Sequence, residues 1–500
     1  MALALVHSRA RCGLLAPQVT VEVHLSRGLP GFHLVGLPET SVKEAKDRVR
    51  SALINSGFEF PDQKITVNLA PADLPKEGGR FDLAIALGVL HASGQLQADL
   101  SGYEFFGELA LSGEIRPIPG EIPLALACKM AGRIAVLPLE NAVQAQQIPQ
   151  IQLCGAAHLL QLHAFLVHQQ PLPAIPALVS TEPELYPDLA EVRGQAQAKR
   201  ALEIAAAGEH NMLMFGPAGT GKSMLAQRLP GILPPLTDSE ALETAAIYSV
   251  AAQGRSFSQW HQRPFRQPHH SCSAVALVGG GSVPRPGEIS LAHGGVLFLD
   301  EVPEFPRTVL ESLRQPLETA KVFISRAARQ AEFPACFQLI VALNPSPSGH
   351  HKDGRSSPEQ IRRYLNRLSG PFLDRIELQV EVPLLAKGSL SQHKTEESST
   401  AVKQRVLAAR DLQWQRQQKS NARLTLAELE KHCSLSKADA EYFELCIHQL
   451  KLSARSYHKL LKVARTVADL ARHSQIERTD LLEALSYRAF DRLLSHLQSC

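Results

Sequence analysis

Apolar and polar positions alternate with a period of two from Val19 to Leu25, where Val19, Val21, Val23 and Leu25 are separated by Thr20, Glu22 and His24. That pattern predicts a half-buried strand. A short extended piece follows at Phe32 to Val35, and after Pro38 the period changes. Val42, Ala45, Val49, Ala52 and Leu53 recur at helical spacing, and Gly57 supplies a C-cap. Lys64 to Leu69 reads as another strand. Strands and helices therefore alternate over residues 1–165, which predicts an α/β or α+β module of its own.

The pattern lapses over residues 166–190, where Pro171, Pro173, Pro176, Pro183 and Pro187 mark a semi-rigid spacer and a domain boundary. Beyond it, Ala198, Ala201, Ile204 and Ala205 share one face of a helix expected over Glu191 to Ala207. Three apolar runs, at Met212 to Phe215, Val296 to Leu299 and Phe337 to Leu343, read as buried strands within a module of residues 191–385. Gly388 to Thr400 is a polar, serine-rich connection, and residues 390–500 are then helical. Val402, Val406, Ala409 and Leu412 line one face of the first long helix there, and Leu460, Ala464, Val467 and Ala471 line a later one. On that later helix Lys459, Lys462 and Arg465 are expected to face solvent.

A chain of 500 residues is too long for one core, in keeping with these divisions. The net charge of +3 is nearly balanced, so any path for nucleic acid must be local. Eight cysteines with no C-x-x-C pair offer neither a zinc module nor a disulfide framework. A reducing cytoplasm is the expected setting, because the first apolar run is too short for a signal peptide and nothing approaches the roughly 18 apolar residues of a membrane span.

The chemistry begins at Gly216-Pro217-Ala218-Gly219-Thr220-Gly221-Lys222-Ser223, which fills every fixed position of G-x-x-x-x-G-K-[ST] between a strand and a helix. Glycines let backbone N–H groups curl around phosphates, and the helix turns its positive end to the same anion. Lys222 then reaches the β and γ phosphates of ATP, and the Ser223 hydroxyl holds Mg²⁺. About eighty residues further on, an apolar strand ends in Asp300-Glu301. Asp300 suits the Mg²⁺ shell, and Glu301 suits activation of the attacking water. The adjacent His269 and His270 have no cysteine or carboxylate at ligand spacing and are expected to be core or loop residues.

Asn344 follows the strand Phe337 to Leu343, at the place of the polar residue called sensor 1 in AAA+ ATPases. Leu373-Asp374-Arg375-Ile376 resembles the motif that carries an arginine finger, and an ever-charged forked guanidinium suits charge developing on a transferred phosphoryl group. Leu452-Ser453-Ala454-Arg455-Ser456-Tyr457 resembles the start of an AAA+ lid helix, with Arg455 at the sensor 2 position, acting in cis or in trans.

Pro75 to Asp82, followed by Leu83 to Leu90, resembles the active-site stretch of Lon-type proteases, and Gly107 to Leu137 resembles the part that supplies their lysine base. Arg80 stands where the nucleophilic serine would be, and an apolar residue close to Ile122 stands for the lysine. A dyad needs both groups, so the expected fold is protease-like without proteolysis.

Gln267 to Ser271, Gly279 to Gly281, Pro284 to His293, Asn344-Pro345 and Gly370 to Arg375, together with the phosphate-loop and Asp-Glu motifs, resemble the magnesium-chelatase-like AAA+ ATPases of the YifB/ComM family. The resemblance spans nearly the whole chain. It implies a multidomain α/β protein: a degenerate Lon-protease-like domain, an AAA+ P-loop core and a C-terminal helical lid. It further implies an ATPase, not a protease, that assembles into a ring, a hexamer in the presence of ATP and DNA. Such a ring works as a helicase on single-stranded and branched DNA in natural transformation. Arg285 in one insert and Lys321, Arg326 and Arg329 in another are then candidates to face DNA in a central channel. The alternative is a chelatase-type or chaperone-like ATPase that remodels a protein partner through the Lon-like domain. Where relatives carry Cys-x-Cys pairs this chain has Ser346 and Ser348, then Ser356 and Ser357, so a role for those cysteines is not expected.

Overall fold

Two sheets carry the chain. The first, in the order 31–35, 64–70, 18–26, 3–9, 103–105, 134–138 and 153–156, is mixed. Its strands 3–9, 18–26 and 64–70 are antiparallel neighbours, while those at 103–105, 134–138 and 153–156 run parallel. The expected alternation holds: Val19, Val21, Val23 and Leu25 are buried, and with Val49, Ala52 and Leu53 they build one core under the helices Ala45–Asn55 and Asp82–Ala92. The second sheet, in the order 265–266, 296–299, 338–343, 212–215 and 378–381, is parallel throughout. Its three inner strands are buried at every position, as a parallel sheet covered on both faces requires.

This computed structural model describes residues 3–177, 186–253, 259–281, 283–326, 329–346, 355–385, 396–450 and 452–499. Part of the 166–190 spacer, most of the Gly388 to Thr400 connection, and Ser348 lie outside the described residues.

Several elements depart from the sequence reading for local reasons. The helix expected from Glu191 starts at Ala196, because Gly194 and Gln195 both adopt positive φ and turn the chain into it. In the helix Ser399–Gln417, Leu412 is 38% exposed and Gln413 is buried instead, donating to Ala207 O at 3.0 Å. Lys459, Lys462 and Arg465 of the helix Ala454–Ala471 do not form a freely solvated face. Arg465 is 2% exposed and paired with Asp469 at 3.0 Å, Lys462 donates to Ala422 O at 2.8 Å, and Lys459 lies 2.9 Å from Glu377. Periodicity placed these positions by spacing alone; the partners of Lys459 and Lys462 come from distant parts of the chain, while Arg465 pairs with Asp469 on its own helix.

The carboxy-terminal helices are fastened to the parallel sheet by ions as well as apolar packing. Glu209, beside the strand Met212–Phe215, accepts pairs at 2.8 Å from both Arg410 and Arg423, and Phe490 packs edge-on to Phe215. The amino-terminal unit joins the parallel-sheet unit through a shared cluster in which Phe106, Ile118 and Ile122 meet Leu236, Ala241 and Trp260. Glu121 lies in this seam, with Ser249 and Trp260 lining the same small cavity. Burial pushes its pKa up from 4.5 to about 7, against the opposing pull of backbone N–H groups. A carboxyl raised in this way is at ease when protonated. Its penalty is absent below about pH 4.5 and grows until pH passes the folded value, reaching roughly 3 kcal/mol. Glu121→Gln is therefore expected to raise the thermal unfolding midpoint at pH 8.5 and to leave it unchanged near pH 4.5, as read by scanning calorimetry.

Candidate active site

In a parallel sheet all strands deliver their carboxyl ends to one edge, and ligands of open α/β sheets bind outside that edge. Three segments of the candidate site arrive there in register. Gly216 follows Phe215, which pairs with Leu343; Asn344 follows Leu343; Asp300 and Glu301 follow Leu299, which pairs with Val341. The loop leaves the sheet so tightly that a Cβ on Gly216 would stand 2.1 Å from Val382 O, so only glycine fits. The helix Lys222–Ile232 begins at once behind the loop, and Gly221, with φ of 94°, makes the entry turn.

Lys222 is buried, and burial lowers its pKa while Asp300 and Glu301 oppose the shift. Its ammonium donates to Gly216 O at 2.7 Å, Pro217 O at 2.8 Å and Asn344 Oδ1 at 3.1 Å. A buried cation held by neutral oxygens at the start of a helix fits an anionic ligand. Ser223 Oγ donates to Asp300 Oδ2 at 2.6 Å, so a hydroxyl from the helix Lys222–Ile232 meets a carboxylate at the end of the strand Val296–Leu299, an all-oxygen pair that fits Mg²⁺. Among the described residues no group of three or more His, Cys, Asp or Glu side chains could hold a metal ion by itself. Lys222→Ala is expected to weaken ATP binding by about 10- to 100-fold, the equivalent of one or two charge-assisted hydrogen bonds. Titration with a fluorescent nucleotide measures it, and unchanged affinity would remove Lys222 from the phosphate site.

Glu301 has φ of 51°, an uncommon conformation for a residue with a side chain, and its N–H donates to Asp300 Oδ1 at 2.9 Å. Its carboxylate Oε2 lies 3.8 Å from His270 Nδ1. Sequence reasoning did not foresee that contact, because the strand Phe265–Arg266 is too short for any period to place His270 on this edge.

Arg375 and Arg455 are elsewhere. Arg375 precedes the strand Leu378–Glu381, whose Leu378 pairs with Met212, and its carbonyl accepts from Asn211 Nδ2 at 2.9 Å. It therefore stands at the amino edge of the sheet, with the length of a four-residue strand, roughly 13 Å, between it and its own phosphate loop. There it lines a cleft of about 880 Å³ together with Glu318, Arg455, Lys459 and Lys462. Its guanidinium donates to Glu318 and to Pro371 O. The structure thus brings Gly216 to Ser223, Asp300, Glu301 and Asn344 together on one edge and Arg375 with Arg455 on the other.

The four DNA candidates fall on two hairpins. Arg285 is exposed on the pair Gly279–Gly280 and Arg285–Pro286. Strands 321–326 and 329–334 form the other hairpin, closed by the pair Arg326 and Arg329, whose side chains lie outside the described part. A Cβ on Gly279 would lie 2.9 Å from Ile324 Cδ1, so the two hairpins pack together. Lys321 is at the base, paired with Glu332 at 2.6 Å.

In the amino-terminal unit Arg80 is buried at 2% exposure, and its Nε donates to Glu77 O at 3.3 Å. Ile122 is buried as well.

Comparison with known proteins accounts for most of the chain. Residues 188–390 match the family described as magnesium chelatase, subunit ChlI; residues 21–141 match the subunit ChlI of Mg-chelatase description; residues 396–488 match its C-terminal description. The protein YifB of Salmonella typhimurium is 55% identical over all of this chain and 99% of its own. Competence protein ComM of Haemophilus influenzae is 53% identical over the full length of both. More distantly, Lon protease 2 of Bacillus subtilis is 26% identical over 183 residues, 32% of this chain and 33% of its own. With its phosphate-loop geometry, parallel sheet and helical carboxy-terminal region, the chain belongs to the YifB/ComM family of magnesium-chelatase-like proteins.

Proposed function

We propose that the protein is an ATP-driven, ring-forming motor that moves DNA strands, acting as a helicase in branch migration when incoming DNA recombines during natural transformation. The observation that carries this reading is the placement of two groups of candidate residues on opposite edges of one sheet. Lys222, Ser223, Asp300, Glu301 and Asn344 make up a nucleotide pocket on the carboxyl edge, while Arg375 and Arg455 face a cleft on the amino edge. An arginine that cannot reach its own phosphate loop can reach a neighbour's, so hydrolysis needs copies arranged head to tail, and a closed ring satisfies every interface.

In that assembly Lys222 and the loop N–H groups bind the triphosphate, and Asn344, already bonded to Lys222, fixes the ammonium toward the γ-phosphate. Ser223 and Asp300 would hold Mg²⁺, which would supply positive charge beside the phosphates. Glu301 orients and deprotonates the attacking water. Arg375 and Arg455 of the adjacent copy stabilise the charge that develops on the phosphoryl oxygens.

The DNA part draws on the relative named competence protein and on the two packed hairpins. Arg285 and the hairpin tip bearing Arg326 and Arg329 are suited to track phosphates. Lys321, half exposed at the hairpin base beside Glu332, is a further candidate for the same contact. We assign the amino-terminal unit, residues 1–165, a protease-like fold without proteolysis, since a buried guanidinium and an apolar residue replace nucleophile and base. Residues 191–385 form the ATPase core and 390–500 the lid. Among the described residues no helix is long and apolar enough to cross a membrane.

Stimulation of ATP hydrolysis by single-stranded DNA, and displacement of a strand from a forked or three-stranded substrate, test the proposal. ATP turnover indifferent to DNA, without strand displacement, would favour remodelling of a protein partner instead.

A further inference from the structure

We propose that Phe323 is a base-stacking residue: its ring takes the face of an unpaired base, so the hairpin 321–334 grips single-stranded DNA by its bases as well as its phosphates. The inference rests on the reading of the two packed hairpins as the part that meets DNA, and it adds what one of them holds.

The pleat of the hairpin decides where the ring goes. Val322 and Ile324 are buried, and so are Phe333 and Ala331, which stand opposite them. These four side chains belong to one core with Leu297 and Leu339 of the parallel sheet, and they fix the inner face of the hairpin. Successive side chains of a strand alternate, so Lys321, Phe323 and Ser325 fall on the outer face, with Gln330 and Glu332 beside them on the second strand. All five are exposed. Phe323 is 53% exposed, and among the described residues it is the one exposed phenylalanine.

The surroundings of the ring suit a nucleic-acid base. Ser325 and Gln330 flank it with a hydroxyl and an amide, neutral groups able to hydrogen-bond sugars and base edges. The carboxylate opposite the ring, that of Glu332, is already paired with Lys321 at 2.6 Å, so it does not meet the strand as an uncompensated negative charge. Three residues beyond Phe323 the strand reaches Arg326, in register with Arg329, and Arg285 is exposed on the hairpin packed alongside. Arginines at these places serve phosphates, which leaves the ring for bases; cations beside an aromatic face are what sequence-tolerant binding of a single strand needs. In a duplex every base already has a neighbour on each face. The ring therefore has nothing to stack on until the strands are apart.

Binding of the full-length protein to labelled oligothymidylate, and to a labelled duplex of equal length, with a non-hydrolysable ATP analogue present and over a range of salt, tests the proposal. Phe323→Ala is expected to weaken single-strand binding at least about 5-fold and to leave duplex binding within about twofold. The slope of log affinity against log salt should not change, since no phosphate contact is lost, whereas Arg285→Ala should make it shallower. Phe323→Tyr should keep tight binding, and Phe323→Leu, apolar but without a π face, should not. Unchanged single-strand affinity in Phe323→Ala would overturn the proposal. So would equal retention by Tyr and Leu, which would make the ring an apolar contact such as a protein partner uses, and so would an equal loss on the duplex or a shallower salt slope. If the unaltered protein binds no DNA, the reading of the hairpins falls and this inference with it; if it binds and Phe323→Ala binds as well, Phe323 alone is removed.

Discussion

Arg375→Ala protein is expected to lose ATP turnover roughly 10³-fold, the contribution of an arginine finger, and to regain part of it when mixed with Lys222→Ala protein. Neither variant works alone, for opposite reasons. One has an intact pocket facing a neighbour without a finger; the other has an intact finger facing a pocket that cannot hold triphosphate. In a mixed assembly some interfaces join the good pocket to the good finger. The prediction follows from the sheet, which holds the Arg375 carbonyl on Asn211 at one edge and the Lys222 ammonium on Asn344 at the other. Turnover measured across mixing ratios should rise above the sum of the separate variants and peak at an intermediate ratio. A flat profile at the level of the separate variants would refute action in trans. Arg455 shares the cleft, so Arg455→Ala should behave alike in the same assay.

Glu301→Gln protein is expected to bind ATP with ordinary affinity and to hydrolyse it about 10²- to 10⁴-fold more slowly, the range for removal of a general base. The substitution keeps the length of the side chain and removes only its basicity. Lys222, Ser223 and Asp300 are untouched, so the nucleotide stays, and assemblies that depend on bound ATP should persist. Electron microscopy of this variant with ATP and single-stranded DNA is the corresponding structural test, with a closed ring of six copies around a strand as the expected image. Normal turnover would remove Glu301 from the chemistry.

The two variants also separate the sources of any defect. On the proposed reading Arg375 acts between copies and is open to complementation, whereas Glu301 acts inside its own pocket, so a Glu301→Gln copy should recover nothing from a neighbour bearing Lys222→Ala. A mixture of Glu301→Gln and Lys222→Ala proteins is therefore expected to remain inactive.

What the chain order settles alone is local. A strand, a phosphate loop and a helix follow one another within Met212 to Ile232, so residue types at fixed spacing determine the backbone path and the direction of the Lys222 side chain. The same holds for the alternation in Val19 to Leu25, whose buried and exposed faces follow from a two-residue period. Relations between distant segments had to come from packing. Parallel pairing of Met212 with Leu378 sends Arg375 to the edge away from the loop that Met212 leads into, and no spacing along the chain carries that information. Lys459, Lys462 and Arg465 have the helical period of a wet surface, yet Glu377 and Ala422 reach the two lysines once the helices dock, and Arg465, paired with Asp469 on its own helix, is covered. His270 meets Glu301 for the same reason: neighbouring strands bring their carboxyl ends to one edge. Local chemistry is written in order along the polymer; the meeting of its parts depends on which strands lie side by side.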